Sequence, residues 1–227
     1  MGIIFKEFVI FLKHPIIEKS DALSFGKSIS FIIKSIGLYV IFTLLYAIIV
    51  GALYFLLDLK VTDFGSKATQ FFKIVIMAPV IEELLFRLPL KNFFKNIFIS
   101  LGILTFLFLR DNMPLVLAIS LGLGVVLLPY VAKFIRKLEG RINSFIYHHY
   151  GVLFYFLAFS FGVLHILNSE SFTSDLYLSA FIYFIHPLIS GLYFAFIRVR
   201  LKYGIIYSIL VHALTNLLPF LPILLRG

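Results

Sequence analysis

Seven apolar runs, most of them near the roughly 20 residues that a helix needs to cross a hydrocarbon core of about 30 Å, set the terms for any fold this chain can adopt. They extend approximately over Ser30 to Leu57, Phe71 to Pro89, Ile97 to Leu109, Pro114 to Ala132, Tyr150 to Asn168, Leu176 to Ile197 and Gly204 to Leu225. The third is short for a full crossing and is expected to tilt, break or re-enter. Composition agrees: 61% of the residues are hydrophobic and 14% charged, whereas a soluble domain carries roughly 45 to 50% and about 25%. The expected fold is therefore all-α, a polytopic transmembrane bundle of about seven spans (six to eight), forming one membrane-embedded domain over residues 1–227.

The basic residues sort themselves between these runs. Lys6, Lys13, Lys19 and Lys27 precede the first; Arg87, Lys91 and Lys95 end the second; Lys133, Arg136, Lys137 and Arg141 follow the fourth; Arg198, Arg200 and Lys202 follow the sixth. The intervening segments hold Lys60, Lys67, Lys73, Arg110 and Arg226, the loop with Glu170 and Asp175 holds none, and Lys34 stands inside the first run. Under the positive-inside rule this alternation puts the N-terminus in the cytoplasm and, with seven spans, the C-terminus across the membrane. The net charge of +9 thus reads as membrane topology, and no nucleic-acid partner is expected. The opening MGIIFKEFVIFLKHPIIEK is not a cleavable signal, because Lys6, Glu7 and Lys13 break the apolar core such a peptide needs. Lys6 also stands where a myristoylation pattern wants Ser or Thr. The stretch suits an interfacial helix ending before Pro15. With no targeting extension and a compact size, the expected location is a bacterial plasma membrane, with the lipid bilayer as a partner.

The connectors, basic over residues 133–147 and acidic over 169–175, are too short to fold alone, so any chemistry has to come from side chains on the spans. No cysteine is present, which excludes disulfides, thiolate nucleophiles and thiolate metal sites. A charge at mid-bilayer costs roughly 2.5 to 3.5 kcal/mol and usually faces a bundle interior, so Glu82, Glu83 and Arg87 in PVIEELLFRLPL stand out. Adjacent helical residues diverge by about 100°, and the two carboxylates cannot share one target. Glu83 and Arg87, four apart, have the spacing and order of an ion pair, which leaves Glu82 free. The plain alternative is a packing network in which Arg87 serves as a topology charge. The fifth run contains FGVLH, with Phe161 and His165 on one face; the seventh contains HALTN, with His212 and Asn216 on one face. Each pair alone reads equally as packing or interhelical glue.

The ordered set EELLFR, FGVLH and HALTN, each on a separate run between Pro79 and Asn216, resembles the CPBP proteins. That family includes CAAX prenyl endopeptidases and bacteriocin-processing or self-immunity proteins. The motif-bearing core covers about 71–225. One departure is Leu88, where a glycine commonly follows the arginine, which bears on the local turn. The resemblance implies a metal-independent intramembrane glutamic protease with no cofactor, acting on a peptide or protein substrate that can be lipidated. It makes Glu82 the catalytic glutamate, Glu83 and Arg87 its support, and His165, His212 and Asn216 the remaining polar members. Glu82 would take a proton from a water held jointly with His165, while His212 and Asn216 would donate hydrogen bonds to the oxyanion.

Competing chemistries leave fewer traces. HExxH and GxSxG are absent, and a zinc site of two histidines and Glu82 is not demanded by any local spacing. His148 and His149 read as surface positions and His186, before Pro187, as a kink position. A proton-coupled transporter would also use intramembrane Glu and His, but the repeated halves it predicts are not seen. A catalytically silent scaffold or immunity protein would keep the same residues as packing. Run boundaries put His165 about 11 Å deeper than Glu82 and His212 at ~1.5 Å per residue, a mismatch that helix breaks near Pro79 would have to absorb.

Overall fold

The computed structural model describes residues 2–17, 22–56, 71–167 and 176–218. Lys19, Lys60, Lys67, Glu170, Asp175 and Arg226, and the run ends at Leu57, Asn168 and beyond Leu218, lie outside them. The described chain is all-helical: α1 (Gly2–Lys13), α2 (Phe25–Leu56), α3 (Ala78–Phe86), α4 (Phe93–Leu109), α5 (Leu115–Val131), α6 (Lys133–Lys137), α7 (Glu139–His148), α8 (Tyr150–Leu167), α9 (Leu176–Arg200) and α10 (Gly204–Leu217). Each of the seven apolar runs falls on a helix. By length and apolarity, α2 qualifies as a membrane crossing over Phe25–Leu53. The pair α7 and α8, meeting at 84°, qualifies as one bent element, and α4, α5 and α10 are apolar but shorter. The 17 residues of α4 and the 17 of α5 reach about 25 Å each at ~1.5 Å per residue.

Two segments differ from their sequence reading. The basic connector over 133–147 is not a loop but the short helices α6 and α7, and His149 (φ −108°, ψ 27°) leaves helical geometry to make the turn into α8. The helix expected over the N-terminal stretch forms as α1, and protein covers part of its apolar surface while Ile3, Phe5 and Ile10 stay exposed. Ile4 and Phe8 are buried, Phe8 meets the edge of Tyr193 at 5.3 Å, and Phe11 meets Phe154 on α8 at 5.1 Å.

The centre of the molecule is α9. Its Tyr193, Phe194, Phe196 and Ile197 are buried against α1, α2 and α10, while Ala195 and Val199 pack on Tyr150, Phe154 and Leu157 of α8. Pro187 lies within α9 without ending it. The α4–α5 hairpin sits beside this core and closes on glycine: a Cβ on Gly102 would lie 2.6 Å from the Gly122 carbonyl, and one on Gly122 would lie 2.9 Å from the Gly102 carbonyl. Any side chain there would push the two backbones apart.

Local sequence explains the shape of the second run, which is not one straight helix. Lys73–Met77 is π-helical, and the Ala78 N–H reaches Lys73 O, five residues back instead of four. In that pattern Ile74 O would accept from residue 79, but Pro79 has no N–H to give. At the other end Pro89 cannot continue the ladder, so α3 stops at Phe86 and Leu88–Leu90 forms a 3₁₀ turn. Leu88 needs no left-handed backbone there; among the described residues only Asn92 (φ 50°), one turn later, is a non-glycine with positive φ.

Candidate active site

Short and central, α3 presents Glu82 and Glu83 toward α10. Glu83 is wholly buried, and His212 Nδ1–H donates to its Oε1 at 3.0 Å. Arg87, also buried, places Nη1 3.6 Å from the same oxygen. The guanidinium of Arg87 sits 3.9 Å over the Phe161 ring, a contact worth about 2 kcal/mol when desolvated. Behind it, a Cβ on Gly191 would come within 3.1 Å of the Phe161 ring and 3.3 Å of Arg87 Nη2, so a side chain on α9 there would crowd the pair.

Glu82, one residue earlier, retains 19% side-chain exposure, and the expectation that the two carboxylates cannot share one target is corrected: both reach His212, whose ring offers a nitrogen on each side. Glu82 Oε2 lies 3.6 Å from His212 Nε2. The imidazole thus stands between two carboxylates, each addressed by its own ring nitrogen. Phe194 stacks on it at 4.5 Å and 24°, and Phe161 presents an edge at 6.2 Å, so the ring plane is fixed. Because Nδ1 carries the proton donated to Glu83, Nε2 is the atom that can gain or lose one. Two carboxylates and one guanidinium leave a formal charge of −1, which a single proton at Nε2 or on Glu82 neutralises.

His165 and Asn216 are engaged elsewhere. His165 Nδ1 donates to Phe161 O at 2.9 Å and its ring meets the Phe161 ring at 4.5 Å; no hydrogen bond or ion pair joins it to either glutamate. Phe161 is therefore an α8 residue in contact with Arg87 and His212. Asn216 Nδ2 donates to Ile74 O at 3.0 Å, the carbonyl that Pro79 cannot satisfy. The expected pairing of His212 and Asn216 around an oxyanion is thus revised: one amide hydrogen of Asn216 holds the π-helix.

Several residues around the site had other readings or none. Arg198 and Lys91, read as topology charges, turn inward: Arg198 Nε donates to Arg87 O at 3.2 Å, and Lys91 Nζ donates to Leu201 O at 2.9 Å. Burial, with Arg198 nearby, pulls the Lys91 ammonium down to about 8. Asn96 donates to the Leu88 and Lys91 carbonyls, and Ser100 to Leu84 O at 2.7 Å, so α4 and α9 brace the turn that follows Arg87. His186, read as a kink position, also has a packing role. It faces α2, with Tyr46 at 5.0 Å between ring centroids and Nε2 within 3.5 Å of the Tyr39 hydroxyl and 3.4 Å of Thr43 Oγ1. Tyr39 in turn contacts Ser190 Oγ at 2.8 Å and stacks on Phe194 at 5.5 Å. The proline after His186 masked this role in the sequence. Phe194 carried no signal at all beyond being one of many phenylalanines.

Among the described residues no group of three or more His, Asp or Glu side chains is arranged to hold a metal ion. No protein-family model, no curated protein and no solved structure matches this chain, so its resemblance to the CPBP proteins rests on the three motifs.

Proposed function

We propose that this chain is a multi-pass membrane protein of about seven spans that hydrolyses a peptide bond within the bilayer, using Glu82 as its general base. The membrane reading is supported by an inverted distribution of polarity. Glu83, Arg87, His212 and Ser208 are buried while Ile33, Ile48, Phe55, Val116, Val152 and Phe156 are each more than 60% exposed, the reverse of what water as solvent selects. The hydrolytic reading is carried by one observation, Glu82 Oε2 facing His212 Nε2 at 3.6 Å, with the second ring nitrogen anchored on a carboxylate already compensated by Arg87.

In this mechanism Glu82 removes a proton from the attacking water, and the water oxygen forms a bond to the scissile carbonyl carbon. Protonated at Nε2, His212 donates a hydrogen bond to the developing oxyanion, and the ion pair behind it keeps that charge from being repelled. Collapse breaks the C–N bond, and the proton held by Glu82 passes to the leaving amine, which restores the carboxylate. Glu83 and Arg87 orient the histidine, and Asn216 positions the backbone ahead of α3. CAAX-type or bacteriocin-type peptides are the substrate classes that the resemblance suggests.

Purified protein reconstituted in vesicles and given a quenched fluorogenic peptide library is expected to cleave. Glu82→Gln should lose about 10² to 10⁴ in rate, the usual span for a general base, and His212→Ala about 10² to 10³, that of an oxyanion donor. Equal turnover by wild type and both variants would overturn the proposal.

A further inference from the structure

Lys34 stands out as the one cation inside an otherwise apolar run, and the reaction proposed above makes no use of it. It lies seven residues after Lys27 on α2, and Ser30 and Phe31 fall between them on the same helix face. This face forms one wall of a cavity of about 290 Å³ closed by Ile3, Ile4 and Glu7 of α1 and by Arg200 and Leu201 at the end of α9. Three cations and one acid therefore line a single small space. Arg200 Nε and Glu7 Oε2 pair at 3.3 Å, which ties α1 to α9 across the cavity. Among the described residues neither Lys27 nor Lys34 pairs with an acid.

The surroundings say what kind of anion this arrangement suits. The cavity lies between the first turns of α1 and α2 and the end of α9, where Lys27, Lys34 and Arg200 meet. Apolar side chains make up much of its wall, Ile3, Ile4 and Phe31 among them. On α2, Phe25, Ile29 and Ile33 beside the two lysines are exposed at 83%, 42% and 63%, an outward face for hydrocarbon next to a cationic mouth. A soluble anion would use the charges but leave this apolar surface uncovered.

We propose that the cavity between α1, α2 and α9 is a binding site for the headgroup of an anionic phospholipid, with Lys27, Lys34 and Arg200 facing its phosphodiester and the acyl chains lying along the Ile29 and Ile33 face of α2. Among the described lining residues three cations and Glu7 leave a net charge of +2, and the two lysines supply the attraction that no described acid takes up. A lipid seated there bridges α1 to α2 and so holds the N-terminal helix on α9. The site rests on the membrane reading above but not on the hydrolysis.

The test uses the full chain in nanodiscs of phosphatidylcholine containing a small fraction of phosphatidylglycerol, with bound lipid counted by native mass spectrometry after release into detergent. Wild type is expected to retain phosphatidylglycerol over phosphatidylcholine. Each basic residue near a membrane surface contributes on the order of fivefold in anionic-lipid affinity, so Lys27→Gln with Lys34→Gln should lower that preference by about 25-fold. A wild type with no preference between the two headgroups would overturn the proposal without recourse to any variant. So would a double variant with undiminished preference, or displacement of the lipid by millimolar inorganic phosphate, which would mark a site for a soluble anion. Failure of the chain to enter nanodiscs at all would remove the membrane reading itself, whereas retained lipid with no peptidase activity would leave this site standing and remove only the hydrolysis.

Discussion

At the scale of single residues, two adjacent glutamates of identical chemistry are given different work by one 100° step of the helix. Glu83 is enclosed with Arg87 and His212, and every charge in that group depends on another. Replacing it with Gln leaves the guanidinium buried without a counter-charge, a change that typically costs about 3 to 5 kcal/mol. Glu82 makes its one close approach at 3.6 Å and keeps access to its surroundings, so the same substitution there should move stability by less than about 1 kcal/mol. Thermal unfolding in detergent is the measurement: a large fall in Tm for Glu83→Gln and almost none for Glu82→Gln. Equal losses would mean that both acids are structural struts, and Glu82 would have no claim to be the base. The spacing of Glu83 and Arg87 made their pairing legible in the sequence, whereas the argument that kept the two carboxylates from a common target overlooked a partner with two ring nitrogens. His212 standing between the two acids was not legible, because nothing in a sequence orients an imidazole whose partners lie about 130 residues earlier.

The helices themselves show where periodicity stops being informative. Apolar runs located the long elements, since burial and lipid exposure both select the same residues, but they carried no information about Lys73–Met77, where a π-turn shifts the register of everything before Glu82. The cause was nonetheless written in the chain as Pro79, and the remedy as Asn216, two features that only a fold brings together. His186 was read only in part: Pro187 sits inside α9 without ending it, and the proline drew attention away from a ring that faces α2. The link between Pro79 and Asn216 makes a strong prediction. Asn216→Ala deprives Ile74 O of its donor and should cost about 1 to 3 kcal/mol. Pro79→Ala returns an N–H at the position from which the π-helical pattern would serve that carbonyl. In a double-mutant cycle the two changes should therefore couple, with Pro79→Ala recovering about 1 kcal/mol or more of what Asn216→Ala loses. Additive losses would show that Asn216 is not filling the gap left by the proline, and would return it to consideration as a donor to the oxyanion.

For the whole molecule, the span count of the proposed membrane protein turns on how the α4–α5 hairpin would meet a bilayer. Each helix reaches about 25 Å, somewhat short of a hydrocarbon core of roughly 30 Å. The hairpin is closed at Gly102 and Gly122, and its tip carries Arg110 and Asp111, paired at 3.4 Å and well exposed. Two full crossings would put that tip outside the cell and keep α6, α7 and the α9–α10 turn in the cytoplasm, as the basic residues Lys133, Arg136, Lys137, Arg141 and Lys202 require. A re-entrant hairpin would leave the tip within the membrane and reduce the count to five. The ion pair at the tip favours the crossing, since an exposed arginine and aspartate are stable in water or headgroups and costly in hydrocarbon; slight thinning of the bilayer accommodates helices of this length. Because the chain has no cysteine, single cysteines report position without background. With a membrane-impermeant maleimide applied to intact spheroplasts, Asp111→Cys is expected to label at once, while Lys137→Cys and Lys202→Cys should label only after permeabilisation. Protection of Asp111→Cys under both conditions would establish a re-entrant hairpin and a five-span protein, and labelling of Lys202→Cys from outside would invert the topology and place the Lys27 and Lys34 cavity on the opposite leaflet.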